Sequence, residues 1–234
     1  MLKGKKILVF TPAFFGYEEK IKNKMIALGA EVDMFDERSV TKSWQKAMLK
    51  VNPNIFNLRT EKYYFKILDS VKDKKYDYIL FIKCDMPTEK ILKKFKNTFI
   101  DSRICLYLWD SIKNIPNIKR KFKYFDIISS FDRYDCLNYD FMKFRPLFYC
   151  DEYKQENNIE NKFEYDLCFI GTIHSDRYKI LRNIVDFSKE NKMKIYIYPF
   201  LQSRFIYYFY KLTKVEFKNT KISDFKFEKL SAET

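Results

Sequence analysis

The sequence predicts an α/β protein in which parallel sheets carry helices on both faces. Short apolar runs recur along the chain, and each is followed by a polar segment with helical spacing. The runs are continuously apolar rather than alternating, as expected of strands that are covered on both faces. A strand, a crossover helix and a parallel strand, repeated in this order, form a doubly wound sheet.

Each apolar run is a predicted strand. The runs with clear boundaries are Ile7–Phe10, Tyr78–Ile82, Ile104–Trp109, Ile127–Phe131, Leu167–Ile170 and Ile195–Tyr198. Two further candidates are Glu31–Phe35 and Val215–Phe217. Six or more strands of this kind are enough for an open parallel sheet.

Helical spacing predicts helices between these strands. The first runs from Tyr17 to Ala27 and ends at Gly29, a typical C-terminal stop. Thr88 is placed to cap a second helix. The other predicted helices are Ser43–Val51, Leu58–Val71 and one that Ser175 or Asp176 caps.

A polar segment separates two Rossmann-like domains. Residues 151–164 (DEYKQENNIENKFE) have no aliphatic face, and the strand–helix pattern starts again at Tyr165. We therefore predict a first domain over residues 1–150, a linker over 151–164 and a second domain over 165–234. The second domain is short for a complete domain of this type, so we expect it to be incomplete.

Composition excludes several classes of protein. Among 234 residues, 47% are hydrophobic and 19% aromatic, which excludes wholesale disorder. Four glycines and six prolines exclude collagen-like and linker-dominated chains. No apolar run approaches the roughly 20 residues that cross a bilayer, and the apolar core near the N-terminus is too short for a secretory signal. We therefore expect a cytoplasmic protein.

The formal net charge of +14 raises the question of an anionic partner. Lysines outnumber arginines 36 to 9 and occur in every segment, whereas arginine is the residue expected at specific phosphate and base contacts. Nucleic acid is therefore not the expected partner. The excess of positive charge suits solvated helix faces near an anionic surface.

The five cysteines do not have the spacing of a metal site. None approaches C-x-x-C spacing, and Cys84, Cys105 and Cys168 lie in the apolar, strand-like runs FIKCD, RICLYLW and DLCFIG, where reduced thiols pack as small apolar groups. The single histidine, His174, cannot complete a zinc site with thiols so scattered. We expect no metal and no other cofactor.

Ligands of open parallel sheets bind beyond the carboxyl ends of the strands. The loop after the first strand lacks G-x-G-x-x-G, so NAD and FAD are not expected. Its residues Phe14, Phe15, Gly16 and Tyr17 fit an apolar or sugar-stacking wall, with the glycine allowing close approach to the backbone. The alternative is that these rings cover the edge of the sheet.

Acidic residues follow three further strands. A carboxylate at such a position serves as a general base or as an anchor for sugar hydroxyls, unless it caps a helix. Asp85 and Asp110 are the stronger candidates, and Asp110 is the one we favour as the catalytic carboxylate. Asp85 and Trp109, which precedes Asp110, are candidate acceptor-side residues together with the residues of the first loop. Asp132 is the weaker candidate.

The segment from Asp166 to Arg177 predicts a strand, a turn at Gly171 and the start of a helix. A helix N-terminus offers free N–H groups and positive partial charge, which suit a phosphate. The predicted phosphate-binding residues are Gly171, Thr172, Ser175 and Arg177. His174 is the candidate for histidine-based acid–base catalysis. The alternative is an ordinary turn with Arg177 on the surface.

The stretch IYIYPFLQSRFIYYFY, residues 195–210, is unusually aromatic. Burial as a strand and a helix of the second domain is the favoured interpretation, because it continues the α/β pattern. The alternative is an amphipathic segment in a membrane interface, next to Lys211 and Lys214.

Several segments together resemble a known family. The opening segment KKILVFTPAFFGYEEKIKNKMIALGAEVDMFDER looks like the start of a GT-B-type glycosyltransferase. The segments YDYILFIKCD, ICLYLWDS, FDIISSFDRYD and YDLCFIGTIHSDRYKIL resemble bacterial glycosyltransferases of the spore-maturation and cell-surface polysaccharide group. The resemblance extends to about Leu181 and includes the pattern FIG-x-x-x-x-x-R from Phe169 to Arg177.

This resemblance implies two GT-B-like domains that face a cleft, the first receiving the acceptor and the second holding a nucleotide-sugar donor. Such enzymes generally need no bound metal. The residues that match the donor-diphosphate loop are Gly171, Thr172 and Arg177, and those that match the acceptor side are Phe14, Gly16 and Asp110.

Members of this group continue further, with a segment that contacts the nucleotide and for which no counterpart occurs before Thr234. The resemblance therefore implies a donor domain without its C-terminal part. That would make the chain a truncated or split gene product, one completed by another chain, or one without transferase activity.

The leading hypothesis is a glycosyltransferase-like protein that transfers a hexosyl group from a nucleotide-sugar to a surface-polysaccharide or lipid-linked acceptor. It would act in lipopolysaccharide or capsule biosynthesis, in the cytoplasm or peripherally on the inner membrane face. Asp110 is the candidate base if the reaction inverts. The alternatives are a non-catalytic module that binds a sugar or a partner, and a basic nucleic-acid-associated domain.

Overall fold

The computed structural model describes residues 2–40, 54–151, 163–174 and 176–228. The chain divides into two compact units, Met1–Lys154 and Gln155–Thr234. The predicted helix Ser43–Val51, most of the predicted linker and Ser175 lie outside the described residues.

In the described part of the first unit, six parallel strands form one sheet in the order β2-β1-β3-β4-β5-β6. The strands are β1 (Lys6–Thr11), β2 (Glu31–Asp36), β3 (Tyr78–Ile82), β4 (Arg103–Leu108), β5 (Ile127–Ser130) and β6 (Met142–Phe144). The α/β prediction is confirmed. The sequence did not indicate β6, because three residues with a central lysine carry no apolar run.

Helices connect these strands. They are α1 (Tyr17–Ala27), α2 (Asn57–Val71), α3 (Glu89–Thr98), α4 (Ile118–Lys121) and α5 (Arg133–Asn138), with 3-10 turns at Ile112–Asn114 and Phe122–Tyr124. Thr88 caps α3 as predicted, since its hydroxyl accepts the N–H of Ile91 at 3.4 Å. Asp132 is also a cap, because its Oδ1 accepts the N–H of Tyr134 at 2.9 Å, so the helix-cap alternative explains this residue.

One face of the sheet carries the larger core. Phe10 lies at its centre, where its ring stacks on Phe81 with centroids 4.8 Å apart. The same ring lies 5.2 Å from Tyr64 of α2 and 5.3 Å from Phe95 of α3. α4 adds Ile118 to this core.

The opposite face carries a smaller core. Its buried residues include Ile7, Val9 and Ile82, and α1 packs Ile21 and Met25 against them. Neighbouring residues of β1 are thus buried on opposite faces, which is the reason that the strand is continuously apolar.

The second unit contains two parallel strands within its described residues, β7 (Leu167–Thr172) and β8 (Ile195–Phe200). α6 (Arg177–Glu190) connects them, and α7 (Arg204–Thr213) follows β8. The aromatic stretch is therefore a strand and a helix, as favoured above.

The predicted strand Val215–Phe217 is wrong. These residues form a 3-10 turn, in which Phe217 is fully buried and stacks on Phe225 with centroids 5.4 Å apart. Three apolar-flanked residues are too few for a pattern to separate a buried turn from a strand. None of the described helices is long and apolar enough to cross a membrane.

Candidate functional site

A cavity of about 570 Å³ lies beyond the carboxyl ends of the central strands of the first unit. We call it the aromatic cavity. Its lining residues follow β1, β2, β3, β4 and β6, and they are Pro12, Phe14, Tyr17, Arg38, Lys83, Trp109, Asp110, Leu147, Phe148, Tyr149 and Cys150. β1 lies between β2 and β3, so β2 is added on one side of β1 and the later strands are added on the other. Ligands of open α/β sheets bind beside the strand at which the strand order reverses in this way.

Four rings form one wall of this cavity. Trp109 lies 6.5 Å from both Phe14 and Phe148, and Tyr17 contacts Phe148 edge-on at 5.8 Å. The segment that brings Phe148 is anchored by the Tyr107 hydroxyl, which donates to the carbonyl of Pro146 at 3.0 Å. This segment is exposed and lies far along the sequence from the first loop, so the sequence did not place it at the site.

The loop after β1 places only two of its four predicted residues in the cavity. Phe14 and Tyr17 line it, whereas Phe15 does not and is 70% exposed. Gly16 caps α1 with φ at 76°, a left-handed conformation that glycine adopts at little cost. The role of Gly16 in the described structure is therefore to turn the chain into the helix.

Asp110 lies on the cavity wall in a fixed orientation. Its Oδ1 accepts the Asn114 side-chain amide at 2.9 Å, and its Oδ2 lies 3.7 Å from Nζ of Lys83. The side chain is 36% exposed, so the carboxylate is held by protein donors and still reaches the cavity. This is the geometry that a general base or a sugar anchor needs.

Lys83 lies on an unusual turn after β3. Lys83 and Cys84 both have left-handed backbones, with φ at 74° and 61°. Glu37 stabilises the turn, because its carboxyl oxygens accept the N–H of Cys84 at 2.6 Å and that of Asp85 at 3.2 Å. From the other side, Nζ of the buried Lys121 donates to the carbonyls of Cys84 and Asp85 at 2.9 and 3.1 Å.

The fully buried Glu37 and the half-buried Asp85 form a carboxyl pair beside this turn. Burial and repulsion by Asp85 raise the pKa of Glu37 well above its usual value. Although burial opposes it, the hydrogen bond with Glu37 and the nearby charge of Lys83 lower the pKa of Asp85 to about 2. Among the described residues, no amide, hydroxyl or ammonium group donates to the buried Oδ1 of Asp85. Glu37 therefore holds the proton and Asp85 the charge.

Asp85 does not line the aromatic cavity. Its carboxylate lies 3.3 Å from Lys83, and the residue lines a separate polar cavity of about 400 Å³. Sequence reasoning missed Arg38, Lys83 and Glu37. The rule that selected the strand-end acids would also have found Glu37 and Arg38, because they directly follow β2.

The second unit corrects the predicted turn at Gly171. Gly171 lies inside β7, opposite Pro199, because the strand continues through Thr172. A side chain at Gly171 would crowd the Phe169 ring, because an added Cβ would lie 3.2 Å from the ring's Cζ. Glycine at this position therefore reflects packing within the strand.

The remaining predicted phosphate-binding residues follow β7 directly. Arg177 is the first residue of α6, and its Nη1 donates to the carbonyl of Thr172 at 3.2 Å. His174 is exposed on the same short segment. Asp176 occupies the N-cap position without accepting a hydrogen bond there.

Within the described residues, no three His, Cys, Asp or Glu side chains converge as metal ligands. The groups that the aromatic cavity offers to a ligand are its rings, the cations Arg38 and Lys83, and the carboxylate of Asp110.

Comparisons with known proteins give a likeness to solved structures and no match at the level of sequence. No protein-family model and no curated protein matches this chain. Among solved structures, the chain is similar to the apo form of the lipopolysaccharide outer core galactosyltransferase WaaB, with 12% sequence identity and a TM-score of 0.46. The match covers 90% of this chain and 71% of that chain. A likeness at this level does not identify a function.

Proposed function

We propose that this chain is a glycosyltransferase-like protein that transfers a sugar from a nucleotide-sugar donor to a surface-polysaccharide or lipid-linked acceptor. The aromatic cavity carries the proposal. Rings such as Trp109 and Phe14 stack on the apolar faces of sugars, and Asp110, Lys83 and Arg38 supply partners for hydroxyl groups. The proposed location is the cytoplasm, at the inner face of the membrane.

Asp110 is the proposed general base of an inverting reaction. Its carboxylate takes the proton of an acceptor hydroxyl while that oxygen forms a bond to the anomeric carbon of the donor. The bond from this carbon to the leaving phosphate oxygen breaks, and a nucleoside diphosphate departs. Asn114 and Lys83 hold the carboxylate in position.

The second unit is the proposed donor site. Arg177 and Thr172 lie together at the start of α6, where main-chain N–H groups and the guanidinium suit a diphosphate. Ser175 and His174 are further proposed contacts of the diphosphate. Gly171 lies inside β7, directly before Thr172, so it takes part in the strand and not in a phosphate-binding turn. Positive side chains and the helix N-terminus stabilise the leaving group in this proposal, so no metal is required.

An apolar cavity beside the aromatic cavity favours a lipid-linked acceptor. It has a volume of about 750 Å³ and shares Phe148, Tyr149 and Cys150 with the aromatic cavity. Leu80 and Ile82 form part of its apolar lining. In this proposal the sugar of the acceptor lies in the aromatic cavity, and the apolar chain attached to it lies in the neighbouring apolar cavity.

Donor binding is tested by thermal unfolding with UDP-, GDP- and CMP-linked sugars. We expect at least one to raise the unfolding temperature of the wild type, and Arg177→Ala to weaken its binding by about tenfold. Arg182→Ala, an exposed change on the same helix, is the matched control and should leave binding unchanged. Absence of stabilisation by every nucleotide-sugar would contradict the donor site.

Catalysis is tested with the nucleotide-sugar that binds. Asp110→Asn should lower the transfer rate by about 100-fold or more, because it removes the base, and should leave donor affinity within about twofold. Asp101→Asn, an exposed change outside the cavity, is the control. Equal transfer rates of Asp110→Asn and the wild type would exclude Asp110 as the base.

A non-catalytic sugar-binding module is the second candidate. The aromatic cavity favours it, because all of its lining residues belong to the first unit. Binding of free glycans that Trp109→Ala abolishes, without stabilisation by any nucleotide-sugar, would support this function over transfer.

A further inference from the structure

Helix α7 has two apolar sides, and only one of them is packed by the residues that the structure describes. Tyr207 is 2% exposed and lies in the core of the second unit, together with the partly buried Ile206 and Tyr210. The Tyr207 hydroxyl donates to the carbonyl of Thr220 at 2.9 Å. This inner side is sufficient to attach the helix to its unit.

The outer side of α7 exposes four large apolar residues. Phe205, Tyr208, Phe209 and Leu212 are 78%, 56%, 52% and 85% exposed. Their spacing of i, i+3, i+4 and i+7 places them in a single stripe along the helix. We call it the outer stripe. A contiguous exposed stripe of this kind marks an interaction surface, unlike apolar residues scattered singly.

Basic residues outnumber acidic ones in α7 and in the segment that follows it. Helix α7 contains Arg204 and Lys211 and no acidic residue. The following residues to Lys221 add Lys214, Lys218 and Lys221 against a single acid, Glu216. Lys211 is held beside the helix, where its Nζ donates to the carbonyl of Thr220 at 3.0 Å.

We propose that the outer stripe of α7 binds the interface of an anionic lipid bilayer. Phenylalanine, tyrosine and leucine on one side of a helix, with basic residues beside them, suit the boundary between headgroups and acyl chains. Anionic headgroups complement the exposed Arg204 of α7 and the exposed Lys218 and Lys221 that follow the helix, whereas pairing with a second copy would bring like charges together. This inference does not depend on the proposed transfer reaction.

Vesicle binding by the whole chain tests the inference. We expect the wild type to sediment with vesicles of phosphatidylcholine and phosphatidylglycerol, and to bind pure phosphatidylcholine about tenfold or more weakly. Leu212→Asp and Phe205→Asp should each reduce binding to the anionic vesicles by about tenfold or more, because each places a charge at the inserted side chain. Leu137→Asp is the matched control, since Leu137 is 82% exposed on α5 of the first unit. It should bind like the wild type.

A second measurement locates the contact. Leu212→Trp should show a blue shift of its fluorescence when anionic vesicles are added, and Leu137→Trp should not. Far-ultraviolet circular dichroism and thermal unfolding check that all variants fold. Equal binding of Leu212→Asp and the wild type would overturn the inference. So would a dimer, measured by light scattering, that Leu212→Asp dissociates.

Discussion

Two buried ionisable side chains determine the conformation of the turn that carries Lys83. Glu37 is 0% exposed and Lys121 is 5% exposed. Glu37 accepts N–H groups of the turn, and Lys121 donates to its carbonyls. Buried polar groups are stable only when their hydrogen bonds are satisfied, so each of these residues depends on the turn as much as the turn depends on it.

The proton that Glu37 holds predicts a pH-dependent stability. Because its pKa is raised in the folded chain, its contribution is complete below the unfolded pKa and is lost as the pH rises through the folded pKa. We expect the unfolding free energy to fall by up to about 1.4 kcal/mol per pH unit in that range. Glu37→Gln removes the titrating group and keeps a donor toward Asp85. The unfolding free energy of this variant should therefore fall less than that of the wild type as the pH rises.

Urea unfolding across a pH series measures this difference. Glu31→Gln, at an exposed residue, should follow the wild type. Asp85 adds the opposite trend at the acid end, because its lowered pKa gives a contribution that is lost as the pH falls toward about 2. If the unfolding free energies of Glu37→Gln and the wild type depend on pH in the same way, Glu37 does not hold a proton in the folded chain.

Lys121→Met tests the other side of the turn. The methionine keeps an apolar stem of similar length and removes the donor to the buried carbonyl of Cys84 and the partly buried carbonyl of Asp85, so we expect a loss of about 2–4 kcal/mol in unfolding free energy. Lys119→Met, at an exposed residue two positions earlier, should cost less than about 0.5 kcal/mol. Equal effects in urea unfolding would show that Lys121 is not needed for the turn.

At the scale of the element, strands and helices follow from local patterns where those patterns are long. β3 has the predicted bounds, and α1 ends at Ala27 as its apolar spacing and Gly29 indicate. Patterns of only three residues predicted a strand where there is none and missed a strand that exists. β6 was missed, and Val215–Phe217 is a 3-10 turn. A short segment takes its conformation from the residues that pack around it.

Thr88→Ala tests a cap that the sequence predicted. The Thr88 hydroxyl accepts the Ile91 N–H and donates to Glu61 at 3.3 Å, so its removal should lower the unfolding free energy by about 1 kcal/mol. Thr88→Ser keeps the hydroxyl and should recover most of the loss. If Thr88→Ser is as unstable as Thr88→Ala in urea unfolding, the methyl group and not the cap is responsible.

At the scale of the whole molecule, the site depends on the order of the strands. β1 lies between the edge strand β2 and β3, so the loops that follow these three strands meet at the carboxyl end of the sheet. The same arrangement divides the apolar residues between two faces. Phe10 lies on the face with the larger core, whereas Phe15 of the next loop is exposed.

The burial of Phe10 and the exposure of Phe15 predict very different losses of stability when each ring is removed. Phe10→Ala should lower the unfolding free energy by about 3–5 kcal/mol, because it leaves a cavity among Phe81, Tyr64 and Phe95. Phe15→Ala should change it by less than about 0.5 kcal/mol. Urea unfolding of both variants measures the difference, and a comparable loss for Phe15→Ala would mean that its ring is buried in solution.

The sequence alone determined the α/β class, most strands and the candidates Phe14, Tyr17, Trp109 and Asp110 at strand ends. These follow from periodicity and from the general position of ligands in parallel sheets, which are local or class-wide properties. They placed four of the residues that line the aromatic cavity.

The tertiary structure decided which strand-end residues share a site. Strand order brought Arg38, Lys83 and Phe148 to the same cavity, and it turned Asp85 toward Glu37 instead. It also placed Gly171 inside a strand. Such outcomes depend on contacts between residues far apart in sequence, and no local pattern contains information on those contacts.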